Sequence, residues 1–252
     1  MYICYMCGID VKMYKSKSHV IPKCLIKNLK TNGKMIHIDE DKVMSKYISN
    51  EIIDDFICNN CEDKTREDDK FAKEFFIDKK YLNSNDSIIE KYNPECFKRF
   101  KYFIFSIILR DYCYKRVIKN YKFIDERDLN VIRDIYLNKD SFKLLKTYDI
   151  SIWKENCLKN TTFYPVYLKN ENELDTRVLA IDILILGYRI LVYKDEFFNS
   201  YKKNQVTATC FECHVINGRT PLLDDIIRGF NNYPKEGKLA SDFQQIIINY
   251  IR

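Results

Sequence analysis

Cys58-Asn-Asn-Cys61-Glu62-Asp63-Lys64-Thr65-Arg66-Glu67-Asp68-Asp69-Lys70-Phe71-Ala72-Lys73-Glu74-Phe75-Phe76 couples a C-x-x-C pair to the start of a helix. Asn60 is a candidate cap with Asp63 three residues on, and Glu62 and Asp63 suit the positive end of a helix dipole. Phe71, Ala72, Phe75 and Phe76 share one face at helical spacing and read as core. A matching pair, Cys4-Tyr-Met-Cys7, lies near the start, with 51 residues from Cys7 to Cys58. Two thiolates at this spacing reach one ion, and four satisfy tetrahedral zinc at about 2.3 Å with no open position. Cys4, Cys7, Cys58 and Cys61 are therefore the candidate ligands of a structural Zn2+ that staples the insert between them. The alternative is four cysteines buried by chance.

The chain of 252 residues is 46% hydrophobic, 14% aromatic and 31% charged, which supplies a core and excludes global disorder. Lys plus Arg number 42 against 36 Asp plus Glu, a net charge of +6, too small alone to specify a polyanion ligand. The apolar run Phe103 to Leu109 is broken by Ser106. It is far short of the roughly 20 residues that span a bilayer, so no membrane partner is expected. The opening MYICYMCGID lacks the basic and apolar segments of a signal peptide. The expected compartment is the cytoplasm, where ten cysteines argue for metal binding or burial ahead of disulfides. Six glycines form no phosphate-cradling loop, which excludes a P-loop NTPase. Scarce Gly and Pro beside abundant Ile, Lys, Asn and Tyr is a bias that AT-rich coding DNA produces, a hint of a low-GC microbe.

Three regions follow from the pattern, and together they predict an α+β fold. Residues 1–80 hold both cysteine pairs and the helix they lead into. Residues 81–160 read as helical: Phe97, Phe100, Phe103, Ile104, Ile107 and Ile108 recur at three- and four-residue steps, and a second helix contains Leu129, Ile132 and Ile135. Residues 161–252 change period. FYPVYL, RVLAIDILIL, YRILVYK and QVTATCFECHVI predict strands of a small antiparallel sheet, covered by helices near Pro221 to Phe230 and Ser241 to Ile251.

Between the cysteine pairs stands Lys15-Ser16-Lys17-Ser18-His19-Val20-Ile21-Pro22-Lys23, with His19 read at the entry of a strand. Lys15, Lys17 and Lys23 are candidate nucleic-acid contacts, and an imidazole can accept a proton from water at neutral pH. The combination resembles the HNH, or ββα-metal, endonuclease superfamily in its zinc-containing form. That resemblance rests on Cys4-Tyr-Met-Cys7, Ser18-His19-Val20-Ile21-Pro22 and Cys58-Asn-Asn-Cys61-Glu62, over the first third of the chain. It implies a zinc-stapled ββα unit in residues 1–80, with His19 as general base. Glu62 would then be a catalytic residue holding Mg2+ or Mn2+ beside the scissile phosphate. The family often places Asp or Glu before the histidine, where this chain has Ser18, and His or Asn after the last cysteine, where it has Glu62. Asn50, Asp54 and Asp55 are the candidates for its bracing Asn. A variant branch with Ser-His-x-Ile-Pro and Cys-x-x-Cys-Glu, followed by an acid and a Phe, is similar through Glu62, Asp68 and Phe71.

The expected function is a metal-dependent endonuclease acting on nucleic acid, DNA ahead of RNA, in defence against foreign DNA or as a toxin. The alternative is an inactive zinc-stabilised module that binds nucleic acid or protein. Asp63, Glu67, Asp68 and Asp69 offer further carboxylates or simply a solvated helix face. FKRFKYF and DYCYKRVIKNYK interleave cations with aromatics, as phosphate-gripping helices do, but equally as amphipathic helices whose cations face water. Cys210-Phe-Glu-Cys213-His214 is either a second metal site or, on alternating faces of a strand, buried thiols. A third function, a redox or zinc sensor, would require reactive Cys210 and Cys213. Cys24, Cys96, Cys113 and Cys157 read as packing residues, and residues 161–252 as the seat of a homo-oligomer or regulatory contact.

Overall fold

A computed structural model describes residues 2–14, 17–28, 35–39, 44–48, 53–84, 93–118, 120, 124, 126–138, 148–154, 162–169, 178–193 and 213–214. Helix and largely antiparallel sheet coexist, as the α+β reading expects. The chain opens with a hairpin, β1 (Tyr2–Cys4) and β2 (Ile9–Val11), paired Tyr2 to Val11 and Cys4 to Ile9. Next come β3 (Ser18–His19) and the five-residue helix α1 (Lys23–Lys27). A second hairpin, β4 (Met35–Asp39) with β5 (Met44–Ile48), occupies the insert between the cysteine pairs. Strand β6 (Ile53–Asp54) pairs antiparallel with β3, Ser18 opposite Asp54 and His19 opposite Ile53, just ahead of helix α2 (Asn59–Ala72).

Two local expectations need correction. Helix α2 is capped by Cys58 at φ −78° and ψ 164°, without a side-chain cap bond, and Asn60 lies inside the helix. The cysteine takes the cap position because its sulfur faces the other three. His19 closes a strand instead of opening one: Val20 and Ile21 turn into the core at 0% and 1% exposure, and Pro22, with φ fixed, caps α1.

The phenylalanines of α2 face inward as expected, through a change of helix type. At Lys73–Ile77 the helix widens to a π turn, closed by the Asp78 N–H donating to the Lys73 carbonyl at 3.0 Å. The wider turn brings both Phe75 and Phe76 to the side that Phe71 occupies. Their rings meet helix α3 (Asn93–Ile118): Phe75 lies 5.0 Å from Phe100, and Phe76 lies 5.8 Å from Phe103, centroid to centroid. Helix α4 (Glu126–Leu137) packs on α3 with Leu129, Ile132 and Ile135 buried, the face its period predicts.

A five-stranded sheet follows in the order β11-β7-β10-β9-β8, formed by β7 (Asp149–Lys154), β8 (Phe163–Lys169), β9 (Val178–Ile185), β10 (Tyr188–Tyr193) and β11 (Cys213–His214). Strand β7 falls inside the stretch read as helical, a correction for 149–154. DISIWK buries Ile150 and Ile152 on alternate positions, a period of two too short to stand out. Four strands are antiparallel, while β11 joins β7 in parallel, Cys213 opposite Ile152. The helices expected near Pro221 and Ser241 lie outside the described residues. Tyr188 of β10 meets Phe76 edge-on, with centroids 5.4 Å apart, and carries the aromatic core from α2 to the sheet. Among the described residues no helix is long and apolar enough to cross a membrane.

Candidate metal centre

The β1–β2 hairpin and the start of α2 bring four sulfurs together. Cys4 ends β1, and a tight turn to Cys7 is closed by the Gly8 N–H donating to the Cys4 carbonyl at 2.7 Å. Gly8 holds φ 73°, a left-handed conformation that glycine adopts without strain. Cys58 and Cys61 stand at the cap and first turn of α2. All four Sγ atoms lie within 4.8 Å of one another, with Cys4 to Cys61 at 3.8 Å and Cys7 to Cys58 at 3.9 Å. A tetrahedron with bonds of about 2.3 Å has sulfur–sulfur edges of about 3.8 Å, so the four can hold a metal ion such as zinc. No disulfide joins them.

The electrostatics suit a cation. The Cys4 thiol is pulled down to about 4, chiefly by its side-chain hydrogen bond with Cys61, with backbone N–H groups of Cys58, Cys7 and Met6 adding to the effect. The Cys58 N–H reaches the Cys4 sulfur at 3.4 Å. Burial pushes Cys7 up to about 11, and Cys61 is raised by its bond to the Cys4 thiolate and by burial. Without an ion the group thus keeps one sulfur anionic and holds others protonated; a divalent ion would displace those protons. The knuckle is anchored from outside: the Tyr5 carbonyl accepts from Arg133 Nη2 at 2.7 Å, and Arg116 lies 5.4 Å over the Tyr5 ring.

His19 is half-buried at the end of β3, and Glu62 is half-buried on the first turn of α2. Glu62 Oε2 is buried with no hydrogen-bond partner. Among the described residues the four cysteines are the group of three or more whose ligand atoms converge, and neither His19 nor Glu62 belongs to it. Ser18, the residue before His19, is fully buried. Lys17, at φ 63°, and Lys23 are exposed on either side of His19. The Lys17 N–H donates to Asp55 Oδ1 at 2.9 Å, and the Asp55 N–H to Asp54 Oδ1 at 2.9 Å, bracing the loop before β3. Lys15 and Asn50 lie outside the described residues.

The acidic run after Glu62 divides. Asp63 and Glu67 face solvent, Asp63 paired with Arg66 at 3.0 Å. Asp68, 5% exposed, accepts from the Tyr136 hydroxyl at 2.6 Å, and Asp69 accepts from Arg110 Nη2 at 2.9 Å. These two carboxylates are structural partners of α4 and α3. Several of the interleaved cations of α3 are engaged within the protein as well. Lys101 is buried and donates to the Tyr148 carbonyl at 2.9 Å, Arg99 donates to the Tyr81 hydroxyl at 2.7 Å, and Lys115 pairs with Asp111 at 3.2 Å. Cys96 and Cys113 are buried packing residues, while Cys24 is half-buried with its sulfur 3.8 Å from the Asp69 carbonyl. Cys157 and Cys210 lie outside the described residues.

Arg110 is the residue that pattern alone overlooks. It sits in the apolar run of α3 and is 1% exposed, with Nη1 3.4 Å from the His19 carbonyl. The available signal was a cation interrupting an otherwise apolar helix face. Comparison with protein-family models, curated proteins and solved structures returned no match.

Proposed function

We propose that the chain is an HNH-like, metal-dependent endonuclease that hydrolyses phosphodiester bonds of nucleic acid, DNA ahead of RNA, with zinc as a structural ion. One observation carries this reading: β3, bearing His19, pairs with β6 immediately before α2, whose first turn bears Cys61 and Glu62. The β3–β6 pair and the helix pinned by four sulfurs thus carry an imidazole and a carboxylate on neighbouring elements. The buried, unpartnered Glu62 Oε2 is a hard oxygen that Mg2+ or Mn2+ would satisfy. Such an ion, when bound, neutralises charge developing on the phosphate. His19 takes the proton of the attacking water at an imidazole nitrogen. Exposed Lys17 and Lys23 attract the backbone phosphates. A cytoplasmic role against foreign DNA, or as a toxin, fits such an activity.

A second reading, a zinc-stabilised binding or interaction module without catalysis, is favoured by Ser18, which is buried and offers no carboxylate before the histidine. Cleavage of supercoiled plasmid and single-stranded RNA with Mg2+, Mn2+ or EDTA, beside His19→Ala, separates the two. Metal-dependent cutting lost in the variant supports the nuclease. No cutting, or cutting that survives the substitution, supports the module.

A further inference from the structure

Arg110 is a charged side chain in a place where chemistry alone would put a hydrocarbon. Its side chain is 2% exposed, on a stretch of α3 buried from Lys101 to Cys113. Nη2 donates to Asp69 Oδ1 at 2.9 Å and to Ser106 Oγ at 3.2 Å, and Nη1 to the His19 carbonyl at 3.4 Å. Nε has no partner. Replacing a buried ion pair by apolar side chains of similar volume is often neutral or stabilising, so stability is a weak reason for this arginine. Its fork does what no apolar residue can: it bonds two other elements at once from fixed directions.

Those two elements carry the two proposed reactive groups. Asp69 lies seven residues after Glu62, two turns along the same side of α2. His19 ends a strand pair only two residues wide, and so short a pair is marginal without an external brace. Arg110 supplies that brace at the backbone of His19 itself. We propose that Arg110 is a positioning residue that fixes His19 against α2 and hence against Glu62, an inference whose catalytic meaning rests on the nuclease reading.

The test uses the full-length, zinc-loaded chain. The ring resonances of its three histidines, His19, His37 and His214, are recorded by NMR in wild type, Arg110→Met and Arg110→Lys, beside zinc content, Tm and cleavage kinetics. Arg110→Met is expected to shift the His19 ring signals while those of His37 and His214 stay, and to lower kcat about 10- to 100-fold with KM within about twofold. Arg110→Lys, a cation without the fork, should recover only part of the loss. Unchanged His19 signals and kcat in a folded Arg110→Met overturn the proposal, as does a kcat loss that merely tracks lost zinc. Should that variant fail to fold, Asp69→Asn, from the half-exposed end of the pair, must move the His19 signals in the same direction or the proposal falls. If the wild-type chain cuts no substrate, the nuclease reading is what fails, and the His19 resonances still decide the positioning role.

Discussion

Cys4 and Cys61 place their sulfurs 3.8 Å apart, in a side-chain hydrogen bond, across 57 residues of sequence. This contact joins the first hairpin to the first turn of α2, and no disulfide replaces it. A cation bound by all four sulfurs would tie the two pieces together.

The purified chain should bind one Zn2+, and Cys61→Ser should lose it. Metal binding by thiols releases protons, and Cys7 and Cys61, both raised, are among the sulfurs that would give them up. Zinc should therefore be released as pH falls, because protons return to the sulfurs. Removal by chelation is expected to cost several kcal/mol, a fall in Tm on the order of 10 °C for a chain of this size. Metal analysis with thermal melts at descending pH checks this. Melts indifferent to chelation would contradict it.

Asp68 matches the acid of the variant branch in sequence, but its observed partner is the buried Tyr136 hydroxyl at 2.6 Å. Burial and the Asp68 carboxylate both push the Tyr136 phenol upward, so it stays a donor. Tyr136→Phe removes that donor and should destabilise the protein by about 1–3 kcal/mol. Zinc content and metal-dependent cleavage should stay at the wild-type level. A variant of normal stability that loses cleavage would instead give Asp68 a place at the site.

How much was legible depended on whether a feature is written in spacing or in exposure. The four sulfurs meet because two C-x-x-C pairs encode their own local geometry, and α4 was readable from Leu129, Ile132 and Ile135, which repeat with the helical period. Strand β7 was not, because DISIWK is only six residues long, too short for the alternation of Ile150 and Ile152 to stand out. The π turn at Lys73–Ile77 follows from ring packing against Phe100 and Phe103, long-range contacts that no local pattern carries. At the site, the family resemblance pointed to Glu62 and His19 as candidates but nothing pointed to Arg110, since a lysine or arginine in sequence looks the same whether it meets water or a backbone carbonyl. Lys101 and Arg110 are both buried, and each donates to a carbonyl far along the chain.

Glu74 gives the pH prediction with the clearest sign. Its Oε2 accepts from the Tyr81 hydroxyl at 2.7 Å, with Lys80 and Arg99 each 3.7 Å away. That hydrogen bond, helped by the two cations against a smaller effect of burial, holds its carboxyl below the ordinary value of 4.5. A carboxyl lowered in the folded state stabilises the fold above the unfolded value and loses that contribution as pH falls through the lowered one. At pH 7, Glu74→Gln should therefore be less stable than wild type by about 1 kcal/mol. Below pH 4.5 the difference should shrink, because wild type takes up a proton on unfolding that the glutamine variant cannot. Denaturant melts of both proteins between pH 7 and about pH 3 measure the gap, and a gap that stays constant or widens in acid would sink the assignment. Zinc must be quantified in every sample, since its release in acid destabilises both proteins alike and leaves the difference between them to Glu74.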